Sequence, residues 1–177
     1  MSLSNNYKVL RGFLDSQEAQ DLGKEYIDYC EKYVEVNEDG NRQNFGYISF
    51  LELLVAKTPE VNWILGEKVL PTYCYGRVYY NGNILKPHVD RLESEIAITV
   101  HLSSDEPWDI WVRDPSGNKN YVTLTYGDAM IYNGMTAEHG RDPFMGQYHA
   151  NAFLFYNRSR GQYSVPWKQH LRKINEH

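Results

Sequence analysis

Apolar residues recur along this chain in two different rhythms. In residues 15–33, Leu22, Tyr26 and Tyr29 fall four and three positions apart, the spacing of one helical face. Asp15 or Ser16 stands where the free N–H groups of a helix start want a side-chain acceptor. The spacing predicts a helix over 15–33. Residues 34–46 are polar and carry the turn pair Asp39-Gly40. A second helical region is expected over about 48–69, broken near Thr58-Pro59, because proline suits a first helical turn and Thr58 can cap it.

After Pro71 the rhythm changes. TYCYGRVYY, EIAITVHL, WDIWV, YVTLTY, AMIY and HANAFLFY are rich in β-branched and aromatic residues. Turn-forming residues separate them: Asn81-Gly82, Ser103-Ser104-Asp105, Pro115-Ser116-Gly117, Gly127-Asp128 and Asn133-Gly134. Short strands at such intervals predict an antiparallel sandwich or jelly roll. Helices that precede the strands would pack on its outside, which makes the class α+β. One domain over 1–177 is expected, with a helical part at about 1–70, a jelly-roll core at about 71–158 and a tail at 159–177.

Composition narrows the function classes. A chain of 177 residues can bury roughly 70% of its unfolded surface. With 42% apolar and 23% charged residues it reads as globular. The net charge is −5 and no basic tract accompanies it, so neither nucleic acid nor an anionic membrane is an expected partner. The N-terminus MSLSNNYKVLRGFL lacks the apolar run of a signal peptide, and no stretch approaches a bilayer span. A cytoplasmic protein is expected, with Cys30 and Cys74 as reduced core residues. The oligomeric state is left open.

Lys86-Pro87-His88-Val89-Asp90 carries the sharpest chemical signal. In an extended strand residues i and i+2 share a face, so His88 and Asp90 can converge on one ion. Two histidines and one carboxylate, with open positions left over, form the ligand set of non-haem Fe(II) oxygenases. His101, His139, His149, His170 and His177 are available as the third ligand. His139 is favoured: it follows the Gly127-Asp128 turn and the strand AMIY, and several strands can bring it back beside His88.

The run from Arg77 to Asp90 resembles the iron-binding segment of the prolyl 4-hydroxylase-like Fe(II)/2-oxoglutarate-dependent oxygenases. Tyr79, Gly82, His88 and Asp90 match that pattern, and the Gly127-Asp128 turn and His139 follow in the same order. The resemblance covers about residues 73–156. It implies a double-stranded β-helix, a cupin-like jelly roll. It also implies catalysis by Fe(II) held on His88, Asp90 and His139, with 2-oxoglutarate as co-substrate and ascorbate as an accessory reductant. The activity implied is hydroxylation of a small-molecule or peptide substrate, with release of succinate and CO2. The substrate itself is not implied, since one fold serves many.

The far carboxylate of 2-oxoglutarate needs a cation, and the planar fork of an arginine suits it. The family places Arg or Lys on a strand shortly after the second histidine, where this chain has His149. Arg141, on His139's side of a strand, is the favoured replacement; a protonated His149, Arg158 or Arg160 remain open. An ion pair with Asp142 is the plain alternative for Arg141. Tyr79 aligns with a tyrosine that contacts the co-substrate. Glu93 and Glu95 are reserve ligands should Asp90 fail, and the stretches 34–48 and 103–120 are candidates for a substrate rim. The rival reading is a non-catalytic metal-binding jelly-roll module, with other cupin-type oxygen chemistry a third.

Overall fold

A computed structural model describes residues 3–164. Its elements run β1 (Tyr7–Leu10), α1 (Ser16–Tyr33), β2 (Arg42–Phe45), α2 (Ile48–Leu65), β3 (Val69–Tyr80), β4 (Leu85–His88), β5 (Ile96–Ser104), β6 (Ile110–Arg113), β7 (Lys119–Val122), β8 (Ala129–Asn133), β9 (His139–Arg141) and β10 (Tyr148–Arg158). The strands form a six-stranded sheet in the order β1-β8-β5-β10-β3-β2 and a four-stranded sheet in the order β4-β9-β6-β7. Every pairing is antiparallel. This is the jelly roll that the strand texture predicts, with both helices on the outer face of the larger sheet. No helix among the described residues is long and apolar enough to cross a membrane.

The period-two alternation of β3, β5 and β10 sorts their side chains into two cores. Cys74, Val78, Ile98, Val100, Ala150, Ala152 and Leu154 face outward and pack with Tyr26, Phe50, Leu54 and Val61 of the helices. Tyr79, Ala97, Phe153 and Phe155 face inward, with Met130 and Tyr132 of β8, towards Ile110 and Val112 of the smaller sheet. The helices therefore hold the larger sheet from behind and leave its inner face to the smaller sheet.

Helix α1 starts where the sequence predicts. Asp15 Oδ1 accepts from Gln17 N at 2.8 Å and Glu18 N at 3.2 Å. Its buried stripe is Ala19, Gly23, Tyr26 and Cys30, while Leu22 and Tyr29 flank it half-buried. Small residues win that stripe because the helix lies close on β5: a Cβ at Gly23 would sit 2.8 Å from Ser103 Cβ. Helix α2 differs from expectation. It runs unbroken through Pro59 and stops at Leu65, capped by Gly66 at a left-handed φ of 69°. The turn before Pro59 is tied down: Leu54 O accepts from Thr58 Oγ1 at 2.9 Å and from Tyr156 Oη at 2.8 Å.

The first third is not wholly helical. β1 and β2 add edge strands to the larger sheet beside β8 and β3. Both are only four residues long and half-buried, which leaves no legible alternation. Within the 103–120 stretch, 110–113 form β6 and 119–120 begin β7, with connections at 105–109 and 114–118. The part of the expected tail that holds His170 and His177 lies outside the described residues.

Candidate metal centre

β4 and β9 pair in the smaller sheet with His88 opposite His139. That register brings the two imidazole rings to 4.3 Å between centroids. Asp90 joins them from just past the end of β4, not from within a strand. Its N–H donates to Gly134 O at 2.8 Å, which fixes its position from the loop between β8 and β9. Glycine is required at 134, because a Cβ there would strike Ser94 O and stand 2.8 Å from Asp90 Oδ2.

One ligand atom from each of His88, Asp90 and His139 lies within 4.8 Å of the others. Asp90 Oδ1 is 3.6 Å from His88 Nε2 and 3.8 Å from His139 Nε2. Ligands bound about 2.0–2.2 Å from an ion stand about 3 Å apart, so a small contraction seats a metal. Each Nδ1 is already engaged: His88's with Lys86 O at 2.8 Å and His139's with Ala137 O at 2.9 Å. A backbone carbonyl that takes the Nδ1 proton leaves Nε2 as the free lone pair. Asp90 Oδ2 is buried without a hydrogen-bond partner. These donors fit a divalent ion.

The two histidines differ in surroundings. His139 is 2% exposed, and burial holds its pKa down to about 4, so it is neutral and ready to ligate. His88 is 38% exposed, and the hydrogen bond with Asp90 raises its pKa. The open side of the centre thus faces solvent past His88. Tyr132 Oη stands 3.3 Å from His139 Nε2 on the buried side.

Arg141, two residues beyond His139 on β9, is only 3% exposed. Nη1 donates to Trp108 O at 2.5 Å, and the guanidinium lies 4.7 Å over the Trp108 ring. With the Asn151 amide oriented by its neighbours, Asn151 Oδ1 accepts from Arg141 Nη2 at 3.0 Å. Nε has no partner, and no carboxylate among the described residues pairs with this cation. The alternative pair with Asp142 does not form; that carboxylate accepts from Tyr121 Oη at 3.1 Å. Burial lowers the Arg141 pKa to about 10.

His149 and Tyr79 face each other across β10 and β3, both buried. His149 stacks on His101 at 4.5 Å. Burial, reinforced by the Arg141 charge, pushes its pKa well down. In the ligand-free fold His149 is thus a neutral wall with its Nδ1 unpaired. Arg158 already pairs with Glu67 at 2.8 Å and Glu95 at 2.9 Å, which at the same stroke occupies one reserve ligand. Arg160 is exposed beside Gly66 and Lys68.

Seven buried side-chain atoms lack partners among the described residues. Five of them, on Arg77, Asp90, Thr99, Arg141 and His149, sit in the space between the sheets or at its mouth. Buried polar atoms are normally paired, so this concentration sets the interior apart from the rest of the described residues. Thr99, Asn151 and Arg77 were not singled out from sequence as ligand contacts. The alternation that places them two residues from His101, His149 and Tyr79 was the available signal.

No family model and no curated protein matches this chain. Solved structures do. A prolyl-4-hydroxylase from Pseudomonas putida is similar at a TM-score of 0.72 and 14% identity, over 89% of this chain and 95% of that one. HygX from Streptomyces hygroscopicus, solved with nickel and 2-oxoglutarate bound, is similar at 0.67 and 13%, over 89% and 84%. A prolyl hydroxylase from Trichoplax adhaerens, in complex with a peptide fragment of a hypoxia inducible factor, is similar at 0.69 and 12%, over 86% and 84%. This chain therefore has the jelly-roll fold of the prolyl 4-hydroxylase-like 2-oxoglutarate/Fe(II) oxygenases.

Proposed function

We propose that this protein is an Fe(II)- and 2-oxoglutarate-dependent dioxygenase that hydroxylates a small-molecule or peptide substrate. The observation that carries the reading is the convergence of His88, Asp90 and His139, with Asp90 Oδ1 3.6 and 3.8 Å from the two Nε2 atoms and the other carboxylate oxygen buried without a partner. When bound, iron with 2-oxoglutarate and O2 supplies the oxidising power, with succinate and CO2 as co-products.

The chain's own residues supply geometry and charge. His88 and His139 each turn Nε2 towards Asp90, because Lys86 O and Ala137 O accept from their Nδ1 atoms. Asp90 adds one negative charge, held in place by Gly134 O. Arg141 offers a spare buried cation, and a carboxylate is the complement that its planar fork accepts best. Tyr79 and His149 wall that pocket, and Trp108, with Phe144 packed on it, keeps it dry. The end of 2-oxoglutarate remote from the metal belongs at Arg141. The family's usual anchoring position is filled by neutral His149, so the charge comes from β9 instead of β10.

Purified protein with Fe(II), ascorbate and 2-oxoglutarate should form succinate slowly even without primary substrate. His139→Ala should abolish both this turnover and Mn(II) binding by calorimetry. Absence of succinate formation and of 2-oxoglutarate binding in the unmodified protein would rule the reading out and leave a non-catalytic metal-binding module.

A further inference from the structure

Arg77 takes no part in holding the metal or the co-substrate, yet it sits on the same inner face of β3. Its guanidinium lies 5.6 Å over the Tyr75 ring and 5.3 Å over the Tyr79 ring, its neighbours two residues away on either side. Nη2 donates to Gln43 Oε1 at 2.6 Å across the β2–β3 ladder, and Nη1 approaches Tyr79 Oη at 3.4 Å. Nε is buried without a partner. No carboxylate forms an ion pair with it among the described residues. Asp39, whose charge acts on Arg77, pairs with Lys86 at 3.6 Å.

The surroundings are aromatic and open. Phe45 is exposed and packs on Tyr73 and Tyr75 at 6.2 and 5.2 Å. Tyr73 and Tyr75 are half-buried and stack on Phe155 and Phe153 at 4.4 and 4.5 Å. The guanidinium of Arg91 lies 5.9 Å from the Tyr73 ring. On a chain of net charge −5, Arg77 and Arg91 thus bring two cations to the Tyr73–Tyr75 shelf. A half-buried guanidinium between two rings, with a donor to spare and an apolar shelf beside it, fits a ligand with an anionic end and an apolar body.

We propose that Arg77 binds the carboxylate of the primary substrate, with the substrate's apolar part lying on Tyr73, Tyr75 and Phe45. The proposal rests on the oxygenase reading for the identity of the ligand as substrate. It is separate from the Arg141 site, which lies deeper between the sheets, beside Trp108 and Asn151. Arg77 is a specificity-determining residue, because an uncharged analogue would leave its cation unanswered.

The test compares 3-phenylpropionate with 3-phenylpropionamide by calorimetry, on protein saturated with Mn(II) and 2-oxoglutarate so that the deeper anion site is filled. The acid should bind at least about tenfold tighter than the amide. Arg77→Met should reduce that preference to within about twofold, and Arg77→Lys should retain part of it, with Mn(II) and 2-oxoglutarate affinities unchanged. Blocked Phe-Glu against Phe-Gln dipeptides, run in parallel, tell a peptide carboxylate from a free acid; preference for the acid in either pair supports the proposal. Equal binding of both members of each pair, or no binding, overturns it. So does a preference that survives Arg77→Met, or a variant that loses 2-oxoglutarate instead. If the unmodified protein binds no 2-oxoglutarate, the oxygenase reading fails by itself, and the same pairs on metal-free protein still decide whether Arg77 selects an anion.

Discussion

Arg141→Met separates the two roles a buried arginine can play. In the ligand-free fold the guanidinium is held without a carboxylate, and burial lowers its pKa from 12.5 to about 10. At about 1.4 kcal/mol per unit, keeping the charge costs the fold about 3 kcal/mol. Methionine removes that cost and keeps most of the volume. It also strands Trp108 O and Asn151 Oδ1 as buried acceptors, at about 1–3 kcal/mol each. The net lies between about 1 kcal/mol gained and about 3 kcal/mol lost, so thermal unfolding without ligand should fall by no more than about 12 °C. Binding should respond quite differently. Removal of one partner of a buried, hydrogen-bonded charge pair costs about 2–5 kcal/mol. The 2-oxoglutarate affinity of Mn(II)-loaded protein, read by calorimetry, should fall about 30-fold to several thousandfold. An affinity within about threefold of the unmodified protein would refute Arg141 as the anchor. A stability loss above about 3 kcal/mol would show instead that the cation is structural, and that it is not held in reserve for a ligand.

Two further outcomes follow from the same geometry. Gly134→Ala should weaken Mn(II) binding about tenfold or more while leaving secondary structure intact, because the new Cβ presses on Asp90 Oδ2 and Ser94 O; unchanged affinity by calorimetry would mean that the loop yields freely. His101 is buried and its pKa is lowered from 6.5 to about 4, first by burial and then by the Arg141 charge. The unfolded chain therefore binds the proton more readily than the fold. The stability contributed is full above about pH 6.5 and is lost as pH falls towards 4, by up to about 3 kcal/mol. Urea midpoints of metal-free protein should fall over that window, and less steeply in His101→Phe; identical slopes would refute the assignment.

Local pattern carried much of this architecture. Asp15 at a helix start, and the alternation through β3, β5 and β10, are interactions between near neighbours and are written in spacing. The helix continues through Pro59, in a turn where Thr58 and Tyr156 both donate to Leu54 O, and Tyr156 is distant in the chain. β1 and β2 escaped notice because edge strands of four residues, stabilised by one neighbour each, need no marked apolar alternation.

The chemistry divides in the same way. The sequence by itself determined that one short segment offers an imidazole and a carboxylate, that a later histidine follows a Gly-Asp turn, and that the chain turns from helix to strand near Pro71. It could not decide which cations were free. Arg141, Arg77 and Arg158 look alike in a string of letters. Only the folded chain brings Glu67 and Glu95 to Arg158 and leaves the other two without an acid. The charge available to a ligand is what remains after distant residues have paired, and that pairing is set by strand register and burial, not by adjacency in the chain.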